Sequence, residues 1–555
     1  MERVPVAIVG GGPVGLVAAL ELARYRIRSL LVERHEGTTW HPKARNLNTR
    51  TMEIAHGWGA AVHDALVGIN LPRAWTSQII YTRTLAGDEL GRMPTAGFSG
   101  PGHDISPEVP LLSSQDVFEP IFRRGAEATG MADLRFGHEA GRLLRGGAPD
   151  DDRAVIEVTE RPTGKRYEVE AEFLLAADGA ASAVREQLAI ELDGPRGLGH
   201  FVNVYFRADL DPWVAHRPAL LFWVSNGAVR GVFQPLDARG RWLCQIAYDG
   251  TPATFESYTA GRSMEWIRAA VGDSAVTPEI LSIGSWTLNG VVAQSFRRGR
   301  VLLVGDAAAQ LPPIGGFGVN TGIQGLHNLV WKLALVRAGV AAPALLDTYE
   351  TERRAVARYN VERSLENSRM VERINAAARG ETGQALSPSE AVAASRRYGN
   401  FLGMELGYRY ESAAVVADDS KPDRVEDEVI DYVPSARPGK RAPHAWIERA
   451  GRRTSILDLF GPHFTLLAGR GGARWLEAAA ETARGALGVP LEAHALGTDF
   501  EDPEGRFAER YAIDADGAVL VRPDGHVGFR GPGGRDALDA ALRQILVRSA
   551  SGDRV

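Results

Sequence analysis

The sequence predicts an α/β protein built from a parallel strand–helix–strand sheet, an antiparallel middle and a smaller α/β unit toward the C-terminal end. Three observations carry this reading. Short apolar runs at Val4–Val9, Ser29–Val32, Phe173–Ala177 and Val301–Val304 each deliver a glycine or a carboxylate at the carboxyl tip, as strands of an open parallel sheet do. Between Pro195 and Trp286 the rhythm changes to alternating, aromatic-rich runs such as FVNVYFRADL and RWLCQIAY, which suit an antiparallel sheet with one face on a pocket. Beyond the Pro-rich stretch Asp431–His444 strand and helix patterns alternate again. A chain of 555 residues, 45% hydrophobic and 24% charged, has room for about three domains.

In chain order, Val4–Val9 is followed by Gly10, Gly12, Pro13, Val14 and Gly15 and then by an apolar helix through Ala23. This is G-x-G-x-x-G in the context that gives it meaning: glycines for a tight turn, for close approach to a pyrophosphate and for helix–strand packing. The next strand delivers Glu33 about 20 residues on, where a carboxylate hydrogen-bonds a ribose 2′-OH. Arg34 follows, placed either over an adenine or in solvent. Thr49–Glu53 reads as a capped helix start. Residues 76–100 are polar and Gly-rich and are expected near a substrate entrance. Leu112–Gln115 opens a helix. Strands at Ala154–Thr159 and Tyr167–Ala171 precede the strand that ends at Asp178, in the pattern D-G-x-x-S-x-x-R to Arg185; Ser182 can cap, and Arg185 can pair with Asp178 or close the turn.

In the middle segment Phe201, Tyr205, Phe222, Trp223, Phe233, Gln234 and Trp242 are candidates to line a pocket, although aromatic residues in strands are more often core. Val301–Val304 then leads to Gly305-Asp306, a turn rich in Pro and Gly (Pro312, Pro313, Gly315, Gly316, Gly318), and a helix with Ile323, Leu326, Leu329, Val330 and Leu333 on one stripe. The glycines let the main chain pass close to a flat ligand. The amides of Val319, Asn320 and Thr321 are expected to be free at the helix N-terminus, where donors and dipole favour negative charge. Ala344–Ala378 is read as one long amphipathic helix, and Pro388–Asp419 as continuing helically. The tail is expected to hold strands at Thr454–Asp458, Phe464–Ala468, Leu491–Ala495, Val519–Arg522 and His526–Arg530, with helices at Trp475–Ala486 and Asp536–Val547.

The three motifs at Gly10, Asp178 and Gly305, in that order, resemble those of the single-component, class A flavoprotein monooxygenases, the aromatic hydroxylases. The resemblance spans essentially the whole chain and is closest to the branch of phenol and polyketide hydroxylases with a thioredoxin-like C-terminal domain. It implies a Rossmann-like FAD-binding domain of glutathione-reductase type, an antiparallel-sheet substrate domain and a thioredoxin-like tail. By the resemblance, the FAD-binding domain comprises 1–75, 101–194 and 287–380, the substrate domain 76–100 and 195–286, a helical connection 381–430, and the tail 431–555. The tail lacks Cys-x-x-Cys, so a packing or homo-oligomerising role is expected of it.

The same resemblance assigns the site residues. Asp306 would hold the flavin ribityl chain, Pro313 with Pro312 would face the isoalloxazine, and the amides at Gly318, Val319 and Asn320 would meet the pyrimidine edge. Arg45 would contact the FAD phosphate or flavin edge, the alternative being a structural salt bridge. Gln115 would hydrogen-bond FAD, the alternative being a helix cap; Asp178 would serve FAD and the reduced nicotinamide together. Substrate contact is expected from Tyr205, Phe222, Phe233, Gln234, Pro313 and Gly315, and no residue declares itself as the phenol base. Ala309 stands where the family often has His. The implied activity is hydroxylation of a phenolic or polycyclic aromatic ring by FAD, NAD(P)H and O₂ through a flavin C4a-hydroperoxide; a Baeyer–Villiger or unusual oxidase of the same fold and a flavin-binding protein without turnover are the alternatives.

The composition narrows the field further. A formal charge of -6 with interspersed signs gives no basic footprint for nucleic acid or anionic membrane. The apolar run Val4–Val9 is too short for a secretory signal, and no run approaches membrane-span length, so a cytoplasmic protein is expected. Cys244 is the one cysteine, which excludes intrachain disulfides and thiolate metal sites.

Overall fold

The computed structural model describes residues 1–379, 387–485 and 487–548. Ala486, the last residue expected in the tail helix, lies outside these, as do the first residues of the expected helical connection.

The first sheet has parallel neighbours in the order Val301–Leu303, Lys165–Ala176, Glu2–Val9, Ser29–Glu33 and Ala132–Phe136. The runs read separately as Tyr167–Ala171 and Phe173–Ala177 are one strand, Lys165–Ala176. Its polar first half pairs antiparallel with Ala154–Glu160 outside the parallel core, while its apolar end, Phe173–Ala176, is buried in it. Helix Pro13–Arg24 starts on Pro13, whose missing N–H costs nothing in a first turn, and packs against helix Gly318–Arg337.

The second sheet is seven-stranded, in the order Glu279–Leu288, Gly199–Arg207, Arg241–Tyr248, Arg230–Pro235, Leu221–Ser225, Gln78–Thr82 and Glu89–Pro94. All its pairs are antiparallel except Leu221–Ser225 with Gln78–Thr82. One face is covered by helix Ala260–Val271, whose Ile267, Ala270 and Val271 pack with Phe222, Phe233, Trp242 and Cys244. The opposite face meets the Pro–Gly turn and the segment around Tyr398–Phe401.

The tail is a four-stranded sheet, Leu491–Ala495, Phe464–Ala468, Ala518–Val521 and Val527–Gly531, with only the first pair parallel and helices Ala473–Arg484 and Arg535–Ile545. It is thioredoxin-like. It packs through Phe464, Leu466 and Trp475 onto Trp331 and Leu335 of helix Gly318–Arg337. No helix among the described residues is long and apolar enough to cross a membrane.

Two expectations about elements fail. Pro388–Asp419 is not continuously helical: it holds helices Pro388–Ala393 and Leu402–Leu406 and a single 3₁₀ turn at Arg396–Tyr398. Burial of Tyr398, Phe401 and Met404 in the substrate-side cluster shapes this segment and overrides local helix preference. Thr454–Asp458 is not a strand throughout. The strand stops at Ser455, whose hydroxyl accepts from the Leu457 N–H while Asp458 accepts from the Ser455 N–H, a capping box that starts a 3₁₀ turn.

Candidate active site

The glycine loop shows what each glycine is for. Gly10 has φ +106°, and a Cβ there would lie 2.3 Å from the Ala177 carbonyl oxygen; a Cβ on Gly15 would lie 1.9 Å from that of Gly10. Gly12 is different: a Cβ there would meet nothing within 4 Å. The backbone therefore presents open space at the N-terminus of helix Pro13–Arg24, which has no side-chain cap, and such a cradle fits a diphosphate. Val14 packs beneath it, against Gly305 and Gly322. At the tip of the next strand Glu33 accepts from the Gly11 N–H at 2.6 Å and from the His35 N–H at 2.9 Å. The Arg34 side chain is exposed.

Asp178 accepts from the Ser182 hydroxyl at 2.6 Å and the Val184 N–H at 3.1 Å, and burial pushes its carboxyl above the usual range. Ser182 caps the short helix by accepting from the Arg185 N–H. Arg185 donates to the Ala180 carbonyl at 3.2 Å, so it closes the turn.

Asp306 follows the strand Val301–Leu303 at the start of a 3₁₀ turn. Its side chain is exposed with protein packed around it. Desolvation there, opposed by Lys43, pushes its carboxyl up to about 6. Ala309 is buried and paired with Val292 in a small sheet. Pro313 is exposed and accepts the Gly316 N–H across the turn. Gly315 and Gly316 have φ +120° and +72°, which L side chains avoid. Phe317 pins the turn by packing edge-on to Phe401, ring centroids 4.9 Å apart.

Helix Gly318–Arg337 begins one residue earlier than the free amides expected from sequence require. The Thr321 N–H is taken by the Phe317 carbonyl at 2.8 Å, so Gly318, Val319 and Asn320 supply the first-turn donors. A Cβ on Gly318 would again meet nothing within 4 Å. The Asn320 side chain points into the protein, accepting from the Asn48 N–H at 2.8 Å and donating to the carbonyls of Asn46 and Gly316. It thereby fixes the loop that precedes helix Thr49–His56, whose cap is Asn48.

That loop holds Arg45. The residue is 9% exposed, and its guanidinium donates to Gln234 Oε1 at 3.1 Å and to the Pro235 carbonyl. Neither acceptor is charged, and Nε has no hydrogen-bond partner among the described residues, so the salt-bridge alternative is not realised. Burial lowers the guanidinium pKa to about 9, still above neutrality, so Arg45 is a buried cation that an anion would complete. Gln115 holds it in place. As the first residue of helix Gln115–Ala128 it donates its N–H to the Ala44 carbonyl at 2.8 Å, accepts from the Ala44 N–H at 3.2 Å and donates to Glu119 at 2.6 Å. The residue preceding that helix is Ser114.

The substrate-side expectations divide by strand parity. Phe222 and Phe233 are directly opposed, fully buried and packed with the covering helix. Both therefore face away from the turn, and Trp242 goes with them. Successive side chains alternate faces, so Trp223 and Gln234 point the other way, and Trp223 joins the apolar cluster that contains Phe317 and Phe401. Gln234 and Phe233, adjacent in one strand, could not both have lined one pocket. Tyr205, opposite Leu243 and hence on the Gln234 face, is tied down there: its hydroxyl accepts from Arg241 at 2.8 Å, and Arg241 pairs with Asp116.

Two residues of this apolar cluster were not singled out in the sequence. Tyr81, opposite Trp223, stacks with it at 6.4 Å and 10°, and its buried hydroxyl has no partner among the described residues. The strand alternation of Gln78–Thr82 could have indicated it. Tyr398, buried in the same cluster and close enough to bear electrostatically on Arg45 and Tyr81, comes from an irregular segment and left no sequence signal.

Residues 3–364 match the family described as FAD binding domain, and residues 435–549 that described as aromatic-ring hydroxylase, C-terminal. The chain is 37% identical to the aklavinone 12-hydroxylase RdmE of Streptomyces purpurascens, with 99% of each chain covered. It is 36% identical to the 4-methyl-5-nitrocatechol 5-monooxygenase of a Burkholderia species, with 98% of each covered. Among solved structures it is similar to the flavin-dependent monooxygenase PieE in complex with FAD and substrate, at TM-score 0.91 and 35% identity over 99% of each chain.

Proposed function

We propose, from the premise that this chain belongs to the FAD-dependent aromatic-ring hydroxylases, that it is an NAD(P)H-dependent monooxygenase acting on a phenolic or polycyclic hydroxyaromatic substrate. The balanced reaction consumes the substrate, O₂, NAD(P)H and a proton, and yields the hydroxylated ring, NAD(P)⁺ and water. FAD, when bound, supplies the passage of electrons from the nicotinamide to O₂ and the activated oxygen.

The chain's own residues do the rest. The open backbone at Gly12, between Gly10 and Gly15 and over Pro13 and Val14, takes the diphosphate; Glu33 takes the adenosine ribose and Arg34 lies toward the adenine. Asp178 shapes the turn beside them. Asp306 accepts from the ribityl hydroxyls, Pro313 faces the flavin ring, and the amides of Gly318, Val319 and Asn320 meet the ring edge that becomes anionic on reduction. Gln115 contributes by setting Ala44 and hence Arg45.

The observation that carries the substrate reading is the buried Arg45 guanidinium, which has neutral acceptors and no carboxylate partner among the described residues and joins the flavin-side loop to Gln234 of the substrate sheet. A guanidinium in that position stabilises a substrate phenolate, and the phenolate is the electron-rich form of the ring. Trp223 and Tyr81 offer the apolar walls. By their names the relatives include a 4-methyl-5-nitrocatechol 5-monooxygenase and an aklavinone 12-hydroxylase, which supports the reading of a hydroxyaromatic substrate.

The test is oxidation of NADH and of NADPH by the FAD-loaded protein in air, with and without a panel of phenols and polycyclic hydroxyaromatics, with product mass followed. Stimulated oxidation with gain of one oxygen supports the reading. Bound FAD with no stimulation across the panel would overturn it.

A further inference from the structure

Outside the nucleotide and substrate site, the chain gathers a set of metal-type ligands. His56 is the last residue of helix Thr49–His56 and His63 lies on the next helix, Ala60–Val67. The short connection brings the two imidazoles to 5.0 Å between ring centroids. Glu108 reaches both from the loop before Leu111: Oε1 is 3.0 Å from His56 Nδ1 and Oε2 is 2.9 Å from His63 Nε2. The ligand atoms of the three all lie within 4.8 Å of one another.

The set is preorganised. The Glu108 N–H donates to the Ser106 hydroxyl at 3.2 Å, which donates to Glu53 at 2.6 Å, and Glu53 is ion-paired with Arg441 from the C-terminal unit. Each remaining ring nitrogen faces a further carboxylate: His63 Nδ1 is 3.3 Å from Asp64, and His56 Nε2 is 3.6 Å from Asp458. Asp458 is itself fixed, its other oxygen accepting from the Ser455 N–H and the Thr454 hydroxyl. Metal-bound histidines characteristically have their second nitrogen oriented by a carboxylate.

Zinc takes His nitrogen and carboxylate oxygen at about 2.0–2.2 Å in a tetrahedron, which sets neighbouring ligands about 3.3 Å apart. A bound ion would open the 2.9 and 3.0 Å Glu–His separations by a few tenths of an ångström and draw the widest pair of ligand atoms, which lie within 4.8 Å, toward the same spacing. His56 is half exposed, which provides the entry path. We propose that His56, His63 and Glu108 form a divalent-cation site of the zinc-binding kind, with a water as fourth ligand and with Asp64 and Asp458 as orienting partners. Because Asp458 comes from the C-terminal unit, the bound cation would clip that unit to the helix pair that follows the Asn48 loop.

The experiment is calorimetric titration of the chelator-treated, FAD-loaded full chain with Zn²⁺, with thermal melts alongside. One site is expected, with a rise in melting temperature. His63→Ala and Glu108→Ala should abolish both, Asp458→Asn should weaken binding about tenfold, and His216→Ala, a change at an exposed histidine elsewhere, should leave it unaltered. The flavin spectrum and the metal-free melt establish that each variant is folded; if His63→Ala fails there, His56→Ala and Asp458→Asn decide. No uptake by the wild type, or uptake unchanged in these variants, overturns the proposal and leaves a hydrogen-bonded ion cluster.

Discussion

The Arg45 guanidinium and the Gln234 side chain, 189 positions apart in the chain, share a 3.1 Å hydrogen bond that joins the flavin-side loop to the substrate sheet. Arg45→Met should retain FAD through the cradle glycines, with weaker binding where Arg45 also contacts the FAD phosphate or flavin edge, and should lower kcat for hydroxylation of the FAD-loaded protein by about 10²–10³, the loss seen when one preorganised charge-stabilising donor is removed. Arg45→Lys should recover only part, because an ammonium cannot reproduce the fork to Gln234 and Pro235. Flavin absorbance and steady-state turnover measure both. Full activity in Arg45→Met would sink the phenolate role.

The two faces of the substrate sheet should respond differently. Trp223→Ala and Tyr81→Phe should shift KM and substrate range with modest effect on stability. Phe233→Leu and Phe222→Leu should lower the melting temperature, at about 1 kcal/mol or more for reshaping a packed core, while KM stays near wild type. A KM shift confined to the Phe variants would show the parity to be reversed.

Gly12→Val should fold and yet fail to hold FAD, because its side chain would occupy open backbone space rather than strike protein. Gly15→Ala, with its Cβ 1.9 Å from the Gly10 carbonyl oxygen, should fail to fold properly. Melts and flavin content separate the outcomes; a Gly12→Val protein with full FAD content would place the diphosphate elsewhere.

Beneath helix Gly318–Arg337 lies a buried network of balanced charge. Arg522 donates to Glu352 at 2.6 and 2.9 Å and pairs with Asp524, and Lys332 donates to Glu352 at 2.7 Å. Arg522→Met leaves Lys332 to face two carboxylates, one of them uncompensated in the interior, and should cost about 3–5 kcal/mol, read as a marked fall in melting temperature. A near-neutral result would mean that the tail contributes little to holding this helix.

The acid side of the stability profile should carry a histidine signature. Burial, with Arg441 and Arg510 near His444 and Arg50 and Arg522 near His526, lowers their pKa values to about 4 and about 3, from 6.5 in the unfolded chain. The unfolded state therefore binds more protons once the pH falls below about 6.5. Stability present above that value is lost on acidification toward the folded values, at up to about 1.4 kcal/mol per pH unit for each group. Glu405 and Asp306, whose carboxyls burial raises to about 8 and about 6, pull the other way, so the signature is read as a difference: between pH 7 and 4.5 the wild type should lose stability relative to His526→Asn, and parallel slopes for the two proteins would remove the His526 contribution.

How much was legible follows from the kind of signal each part leaves. The glycine fingerprint, Glu33 and the Asp306 turn act through backbone shape and short-range spacing, so the sequence by itself determined the nucleotide-binding architecture, the family and the thioredoxin-like tail. It also named Arg45 and Gln234, though not that they touch. Tertiary structure alone decided which face of the substrate sheet meets the flavin-side turn: parity fixes that Phe233 and Gln234 oppose each other, and only the packing of helix Ala260–Val271 on one side tells which is buried. It alone turned Gln115 onto Ala44, recruited Tyr81 and Tyr398 and brought Asp458 to His56. These contacts join residues far apart in the chain, and nothing in a local pattern specifies which distant surfaces will be brought together when the apolar faces are buried.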